Sequence, residues 1–395
     1  MGIYKGGRLN SSICLNYDGI KLASIILMVI SLPFSESLKT ISILLILSIL
    51  LVQLYKKELK IKISVIHYGF LFLIVSALIS SIFANNPSKS LGGAKDILFY
   101  TIPFFAACSV NNKRHVRIIL WSLYVSTTMA ALLGIIHSIG IHRPLEIHSL
   151  GNQNYTAMYF MIVITSMIST IVYSENKIRY SKIIISIFAC FLIIATVMTA
   201  ERSSFTGLFV FLIILLLSRK NIILSSLFSI GLFGLTVVSI YIYDPMRVKI
   251  FSINSLFSRF SIWEYALNLF KENPVVGIGL NNFKYVSSTE TVFDAHNVYL
   301  QIASQMGTLG LISISLIISG FLYQWLKYKP LSGFKNEIKY CALGGFLVTF
   351  VGGLLDTTLH HEHAIAFTLL TGLMLGASTK KGVQEQSFNE DSSEL

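Results

Sequence analysis

The sequence predicts an all-α polytopic membrane protein with about 12 transmembrane helices and one long external loop that contains short helices. Of its 395 residues, 54% are hydrophobic and only 13% are charged, whereas about a quarter of a soluble domain is charged. Apolar runs of about 20 residues recur along the whole chain, and each is long enough to cross a bilayer. The runs are continuous rather than alternating, which favours membrane helices over strands.

Twelve apolar runs predict twelve spans, in one transmembrane domain of residues 1–379. They cover residues 20–35, 38–55, 63–83, 94–111, 116–139, 153–174, 182–199, 203–218, 221–243, 305–326, 338–355 and 364–379. The long loop lies at about 244–304. Residues 380–395 are acidic and contain several serines, so we expect a disordered cytoplasmic tail there.

The distribution of Lys and Arg predicts the orientation. With a cytoplasmic N-terminus, the cytoplasmic segments hold 21 of the 31 Lys and Arg residues, and every cytoplasmic connection is basic. This agrees with the positive-inside rule and leaves both termini cytoplasmic. The same distribution explains the net charge of +12 without a nucleic-acid partner.

The four cysteines form no CxxC pair, so neither a disulfide nor a thiolate metal site is expected.

The stretch TAERSSFTG places Glu201 and Arg202 between two apolar runs, at the predicted outer edge of the membrane. An arginine at that depth often extends its side chain towards the headgroups and has no further role. Charged residues at the membrane edge also bind ligands, and an arginine there suits an anion. The sequence leaves both interpretations open.

The stretch SRFSIWEYALNLFKENP predicts an amphipathic helix within the long loop. Ile262 and Ala266 recur at helical spacing, and the Asn-Pro pair at 273–274 ends the helix. Arg259 begins the helix, four residues before Trp263. An arginine fork beside a helix N-terminus is suited to binding a phosphate. The alternative is an interfacial helix with a tryptophan anchor and an arginine at its rim.

The stretch FDAHNVYLQ places a titratable ring at the outer end of a predicted membrane helix. We expect Asp294 to cap a helix that begins near Ala295 and continues into the tenth span. His296 and Asn297 then occupy its first turn. A histidine there meets substrate and exchanges protons near neutral pH. A structural histidine at a helix start is the commoner case, so this residue alone does not establish catalysis.

Other external residues compete for a role. The stretch DTTLHHEH brings Asp356 and His360 to the outer face, and His360 and His363 have a metal-like spacing. We expect no metal there, because no fourth ligand is evident. The first external loop offers a single acidic residue, Glu36, which argues against metal-dependent glycosyl transfer. Lys95 is a further external cation.

These features together resemble the O-antigen ligase family. The helix that begins at Arg259, its Asn-Pro end and the Gly-x-Gly…Asn-Phe turn at 277–283 are similar to a segment shared by O-antigen ligases and polymerases. His296-Asn297, followed nine residues later by Gly-x-x-Gly at 307–310, fits the ligase pattern. The topological likeness covers nearly the whole chain, and the specific motifs cover about 202–310.

A second arginine motif is similar but imperfect. Arg202 resembles the family's other arginine, which is usually followed, after three residues, by leucine. Here Thr206 stands at the leucine position, so this motif is the weaker of the two.

The resemblance implies a membrane glycosyltransferase of the class C fold in the bacterial inner membrane, with its active site facing the periplasm. Such enzymes move a glycan from undecaprenyl pyrophosphate to a sugar hydroxyl of lipid A–core, with inversion and without metal or other cofactor. The implied partners are the undecaprenyl-pyrophosphate-linked O-antigen donor, the lipid A–core acceptor and inner membrane lipids.

The resemblance also implies roles for residues. Arg202 and Arg259 would stabilise the charge of the pyrophosphate leaving group, and His296 would position the acceptor hydroxyl or take its proton. The residues expected to bind substrate are Asn297, Trp263, Lys95, Asp356 and His360.

Three alternatives remain. An O-antigen polymerase uses the same donor, although the spacing from His-Asn to Gly-x-x-Gly favours the ligase. A protein O-oligosaccharyltransferase of the same superfamily commonly carries an extra C-terminal soluble region, whereas only a short tail is expected here. A transporter or flippase would place charges near the middle of several spans, and the charges here cluster at one face.

Overall fold

The computed structural model describes residues 17–57, 63–84, 86–109, 113–141, 143–173, 179–218, 254–283, 294–331 and 336–378, with a few isolated positions between 226 and 241. The described residues are helical and contain no strand, and one isolated bridge joins Pro330 and Ser378.

Thirteen α-helices lie in the described ranges. They are α1 (Tyr17–Ser31), α2 (Glu36–Tyr55), α3 (Val65–Ile82), α4 (Pro87–Gly93), α5 (Ile102–Ser109), α6 (Lys113–Ile141), α7 (Gln153–Tyr173), α8 (Arg179–Met198), α9 (Ser204–Leu217), α10 (Asn254–Glu272), α11 (Val298–Leu326), α12 (Asn336–Phe350) and α13 (His361–Gly376). Short 3₁₀ segments cover Ala94–Thr101, His148–Leu150 and Gly352–Leu354.

Seven helices of the described residues are long and apolar enough to cross a membrane, which confirms a polytopic helical membrane protein. Four more of the predicted spans correspond to α1, the 3₁₀ segment with α5, α9 and α13, which are shorter. The predicted span at 221–243 lies outside the described residues apart from isolated positions, as do residues 380–395. The count of twelve therefore stays a prediction.

Helix α7 forms the centre of the bundle. In its 18-residue apolar stretch, 94% of the residues are buried inside the protein, against 39% in the corresponding stretches of α2 and α8. A helix that is apolar all round lies in a core or in lipid. The sequence did not separate these two environments, because both accept the same apolar side chains.

The fourth predicted span, at 94–111, is not one continuous helix. The chain forms a 3₁₀ segment over Ala94–Thr101 and turns α-helical only at Ile102. Pro103 provides the physical reason, because it has no N–H to continue an α-helical ladder through this point. The break leaves Asp96 and Tyr100 at the end of the bundle where His296 lies.

The expected helix start near Ala295 is wrong. Helix α11 begins at Val298, and Asn297 is its N-cap: its side-chain oxygen accepts hydrogen bonds from the backbone N–H groups of Tyr299 and Leu300 at 2.9 and 3.1 Å. Asp294 does not cap this helix. Its Oδ1 instead accepts from the backbone N–H of His296 at 2.9 Å.

Small residues bring α3 and α11 into close contact. A Cβ placed on Gly69 or on Gly320 would come within 2.8 Å of a backbone nitrogen of the other helix. Nearer the His296 end, the hydroxyl oxygens of Ser76 and Ser313 are 3.1 Å apart. Close backbone approach of this kind, with hydroxyl contacts, is how membrane helices associate in the absence of a hydrophobic driving force.

Helix α11 has a kink at Gly307, where φ is 62° and ψ is −152°. The kink deprives the carbonyls of Ser304 and Gln305 of their helical donors. The N–H groups of Ile278 and Gly279 replace those donors at 2.9 and 3.0 Å. The turn that follows α10 therefore completes the broken ladder of α11, as burial of a helix break requires.

The exchange is reciprocal. The N–H groups of Thr308 and Leu309, freed by the kink, donate to the carbonyls of Pro274 and Val275 at 2.8 and 3.4 Å. A Cβ on Gly307 would lie 2.3 Å from the Val275 oxygen. A Cβ on Gly277 would likewise lie 2.3 Å from the Gln305 backbone, so direct backbone-to-backbone packing explains both Gly277 and Gly307.

We expect Gly307→Ala to destabilise the protein. The backbone at this residue lies in a region that essentially only glycine adopts, which costs about 1–3 kcal/mol for another residue, and the added methyl group would collide with the turn. Gly140→Ala is the control, because nothing lies within 4 Å of that position. Thermal unfolding in detergent should show a lower midpoint for Gly307→Ala only; equal midpoints would contradict the packing described here.

Candidate active site

His296 is held outside helix α11 in a left-handed backbone conformation with φ of 45°. Its side chain is 34% exposed, and its Nδ1 lies 3.2 Å from Oδ1 of Asp356 and 3.3 Å from Oδ1 of Asp294. Because ionised carboxylates only accept hydrogen bonds, Nδ1 carries the proton. Nε2 has no hydrogen-bond partner among the described residues, so it is the nitrogen available to a ligand.

Asp356 lies in the loop between α12 and α13 and is 1% exposed. Its Oδ1 also accepts from the backbone N–H of Thr357 at 2.8 Å. The Thr357 hydroxyl donates to Oδ1 of Asp294 at 3.0 Å. Two neighbouring residues of one loop thus fix both carboxylates that face the His296 ring.

The pKa of His296 is raised above its ordinary value. The hydrogen bond to Asp356 is the main cause, and the charge of Asp294 adds to it; burial and the charge of Arg259 act in the opposite direction. The pKa of Asp356 is also raised, mainly by burial and further by Glu201 and Asp294, against the hydrogen bond from His296. The imidazole is consequently a stronger base than a free histidine.

Glu201 and Arg202 lie beside this pair at the start of α9. Glu201 is buried, and its Oε1 accepts from the backbone N–H and the hydroxyl of Ser203 at 2.9 and 2.8 Å. The Ser203 hydroxyl lies 3.5 Å from Oδ2 of Asp356. Arg202 is half-buried, and the local hydrogen bonds of Glu201 fix the backbone on both sides of it. These bonds hold the backbone of Arg202 between Glu201 and Ser203, which contacts Asp356.

The expected helix start at Arg259 is wrong, because α10 begins at Asn254 and Arg259 lies inside it rather than at its N-terminus. From there Arg259 reaches the same loop. Its Nη1 donates to the carbonyl oxygen of Leu355, the residue before Asp356, at 2.6 Å. A small apolar cluster, which includes Ala266, Ile278 and Ala295, packs α10 against the turn and the chain just before His296. The amphipathic helix therefore brings its arginine close enough for the charge to affect the histidine.

Trp263 lies one turn after Arg259 and is half-buried. Its ring meets the exposed ring of Phe260 edge to face, with 5.5 Å between the centroids. Its Nε1 is buried and has no hydrogen-bond partner among the described residues. The tryptophan thus adjoins the arginine but is not tied to the carboxylates.

The remaining expected substrate-binding residues have different environments. Asn297, besides capping α11, donates to the carbonyl of Leu354 at 2.9 Å, which gives it a structural task. His360 is half-buried, and its ring meets that of Tyr155 at 4.4 Å. The backbone of Lys95 lies in the 3₁₀ segment, and its side chain is outside what the structure describes.

A metal ion has one candidate ligand group among the described residues, formed by Asp294, His296 and Asp356. Each offers one ligand atom, and these atoms lie within 4.8 Å of one another. Both carboxylates already accept the hydrogen bonds described above, which suits an orienting role for them. His360 and His363, which have metal-like spacing in the sequence, do not form such a group.

Sequence reasoning missed several partners. It treated Asp294 as a helix cap only, although its place two residues before His296 was a signal. Thr357 follows Asp356 but carries no motif. Tyr155, whose hydroxyl donates to Oδ2 of Asp294 at 3.3 Å, lies 139 residues away from it in sequence and gave no signal.

We expect Asp356→Asn to change the pH dependence of activity. The substitution removes the main cause of the raised His296 pKa, so that pKa should fall. If activity requires the neutral imidazole, the rate rises as pH rises through this pKa, and the acid limb should move to lower pH in the variant. The maximal rate should also fall, because the imidazolium loses its partner. A pH–rate profile checks this, and an acid limb that stays in place would contradict it.

Residues 186–315, about a third of the chain, match the family model described as O-antigen ligase. This match confirms the family resemblance drawn from the sequence. The matched stretch contains Arg202, Arg259 and His296, whereas Asp356 and His360 lie beyond it. No curated protein matches the chain.

Proposed function

We propose that this protein is an O-antigen ligase, which transfers a glycan from undecaprenyl pyrophosphate to a sugar hydroxyl of lipid A–core and so completes lipopolysaccharide. One observation carries the proposal. The loop at 355–357 holds both a histidine base, through Asp356 at 3.2 Å, and an arginine, through the Leu355 carbonyl at 2.6 Å. A base and a fixed cation side by side suit attack by a hydroxyl with departure of a pyrophosphate.

The reaction would proceed by inversion. The acceptor oxygen bonds to the anomeric carbon from the face opposite the pyrophosphate, while the carbon–oxygen bond to pyrophosphate breaks. Nε2 of His296 takes the hydroxyl proton, and Asp356 stabilises the resulting imidazolium through Nδ1. Arg259 and Arg202 stabilise the negative charge that grows on the leaving group.

The proposal includes a class C glycosyltransferase fold in the bacterial inner membrane, with the active site facing the periplasm and both termini in the cytoplasm. The charge distribution supports this orientation. Lys56, Arg179 and Lys339 lie at the ends of their helices that are remote from His296. Basic residues mark the cytoplasmic ends of membrane helices.

An acceptor assay tests the function directly. Purified protein in detergent receives an undecaprenyl-pyrophosphate-linked glycan and one of three acceptors: lipid A–core, a second lipid-linked repeat, or a Ser-rich protein. A shifted lipid A–core band on a gel supports the ligase. A ladder of lengthened lipid-linked glycan would instead identify a polymerase, and a glycosylated protein would identify an O-oligosaccharyltransferase.

We expect Arg259→Ala to reduce transfer by about 100-fold or more, because removing one charge-stabilising donor typically costs this much. Lys271→Ala is the matched control, since Lys271 is an exposed cation in the last turn of the same helix. The control should keep its activity, and both variants should insert into the membrane. Full activity in Arg259→Ala would show that Arg259 takes no part in the reaction.

We also expect the purified enzyme to remain active in EDTA, because the two arginines supply the positive charge that a divalent ion supplies in other transferases. The assay is the same gel shift, with and without chelator. A loss of activity that one metal restores would show that Asp294, His296 and Asp356 act as a ligand set.

A further inference from the structure

A cavity of about 340 Å³ lies next to the candidate active site. Its lining comes from the 3₁₀ segment at 94–101, helix α7, the turn after α10, the first turns of α11 and the loop before α13. Asp294 is part of this lining and also contacts the His296 ring. The volume is in the range of small-molecule sites, which begins at about 300 Å³.

Gln305 points to a ligand. It is 7% exposed and lines the cavity, and its side-chain amide has no hydrogen-bond partner among the described residues. The amide atoms themselves are not fully buried, and because Gln305 lines the cavity, they are accessible there to a ligand or to water. Its backbone carbonyl is occupied, by Gly279 and by the hydroxyl of Ser80 at 2.5 Å. The side-chain amide is therefore the polar group of Gln305 that remains for a ligand, and that ligand would lie in the cavity.

The other polar groups in the lining suit hydroxyl groups. Gln301 uses its Oε1 to accept from the N–H of Ala295 at 2.7 Å, which leaves its amide nitrogen for a ligand. Asn281 is exposed at the cavity rim, and Asp96 and Asp294 contribute carboxylates. Amides and carboxylates donate to and accept from sugar hydroxyls, as the inventory of side-chain donors and acceptors shows.

The charge of the lining separates this cavity from the arginine side of the site. The described lining residues include two carboxylates and two histidines, His360 and His361, and neither lysine nor arginine. The two carboxylates would repel a phosphate, and the described lining has no lysine or arginine to offset them, whereas a neutral sugar would meet no such repulsion. Arg259 instead binds the carbonyl of Leu355, next to Asp356, and Arg202 precedes Ser203, whose hydroxyl contacts Asp356. The surroundings of His296 thus include a side with arginines and a side with carboxylates and amides, which suits hydroxyl groups.

We propose that this cavity is the subsite for a neutral sugar ring of the acceptor, which Gln305 binds through its side-chain amide. The inference rests on the proposed function, because a sugar bound here is an acceptor only if the protein transfers a glycan to it. The donor sugar must lie with its pyrophosphate on the arginine side, so the opposite side remains for the acceptor. A sugar in the cavity would contact Asp294 on the Nδ1 side of His296. The hydroxyl that reacts at Nε2 would therefore belong to a part of the acceptor that extends beyond the cavity.

Kinetics with Gln305→Leu test the subsite. We expect the KM for lipid A–core to rise about tenfold, which corresponds to about 1.4 kcal/mol, with the KM for the lipid-linked donor unchanged. Gln53→Leu is the control, because Gln53 is a buried glutamine, 8% exposed, on α2. Asn281→Asp is a second variant at an exposed position, which should raise the same KM if Gln305→Leu does not fold.

A binding measurement separates this inference from the proposed function. Saturation-transfer NMR is run on the full-length protein in detergent with deacylated core oligosaccharide as the probe. The signal should fall on neutral sugar protons and be weakened in Gln305→Leu but not in Gln53→Leu or Arg259→Ala. If that pattern is seen while no acceptor is glycosylated in the transfer assay, the cavity binds sugar but the proposed ligase function is wrong.

Two results would overturn the inference. Equal KM values and equal NMR signals for the parent protein, Gln305→Leu and Asn281→Asp would mean that the cavity binds no acceptor sugar. A rise in the donor KM alone would assign the cavity to the donor glycan instead.

Discussion

A buried break in a membrane helix has to be completed by hydrogen bonds from elsewhere, and the site depends on how α11 meets this requirement. The kink at Gly307 releases carbonyls and N–H groups that lipid cannot satisfy, and the turn after α10 supplies their partners at 2.8–3.4 Å. The same turn joins α10 to the apolar cluster that contains Ala295. The exchange therefore fixes the position of Arg259 on α10 and of His296 ahead of α11 together.

The loop before α13 connects these two elements chemically. Three consecutive residues each hold one group: Leu355 accepts from Arg259, Asp356 faces His296, and Thr357 donates to Asp294. Burial of Asp356 is costly unless the carboxylate is paired. The histidine is its partner, and this pairing also raises the pKa of His296. The hydrogen bond that stabilises the buried carboxylate of Asp356 thus also orients His296 as a base.

Charge divides the surroundings of His296. Arg259 binds the carbonyl next to Asp356, and Arg202 lies between Glu201 and Ser203 in the chain, while the cavity beyond Asp294 has carboxylates and amides in its described lining. A transferase with two substrates of opposite character needs such a division, because an anionic leaving group and a hydroxyl nucleophile require different neighbours. The match over residues 186–315 covers the arginines and the histidine, and the loop that orients them lies outside it.

The sequence alone determined the membrane helices and the candidate residues Arg202, Arg259 and His296, because hydropathy, charge placement and short motifs are local properties. It did not determine the 3₁₀ segment before Pro103, the capping of α11 by Asn297 instead of Asp294, or the reason for Gly307. The tertiary structure decided the partners of the histidine. Asp356 lies 60 residues from His296, and Ser203 lies 153 residues from Asp356. Helix packing sets contacts over such separations, and no local pattern encodes them.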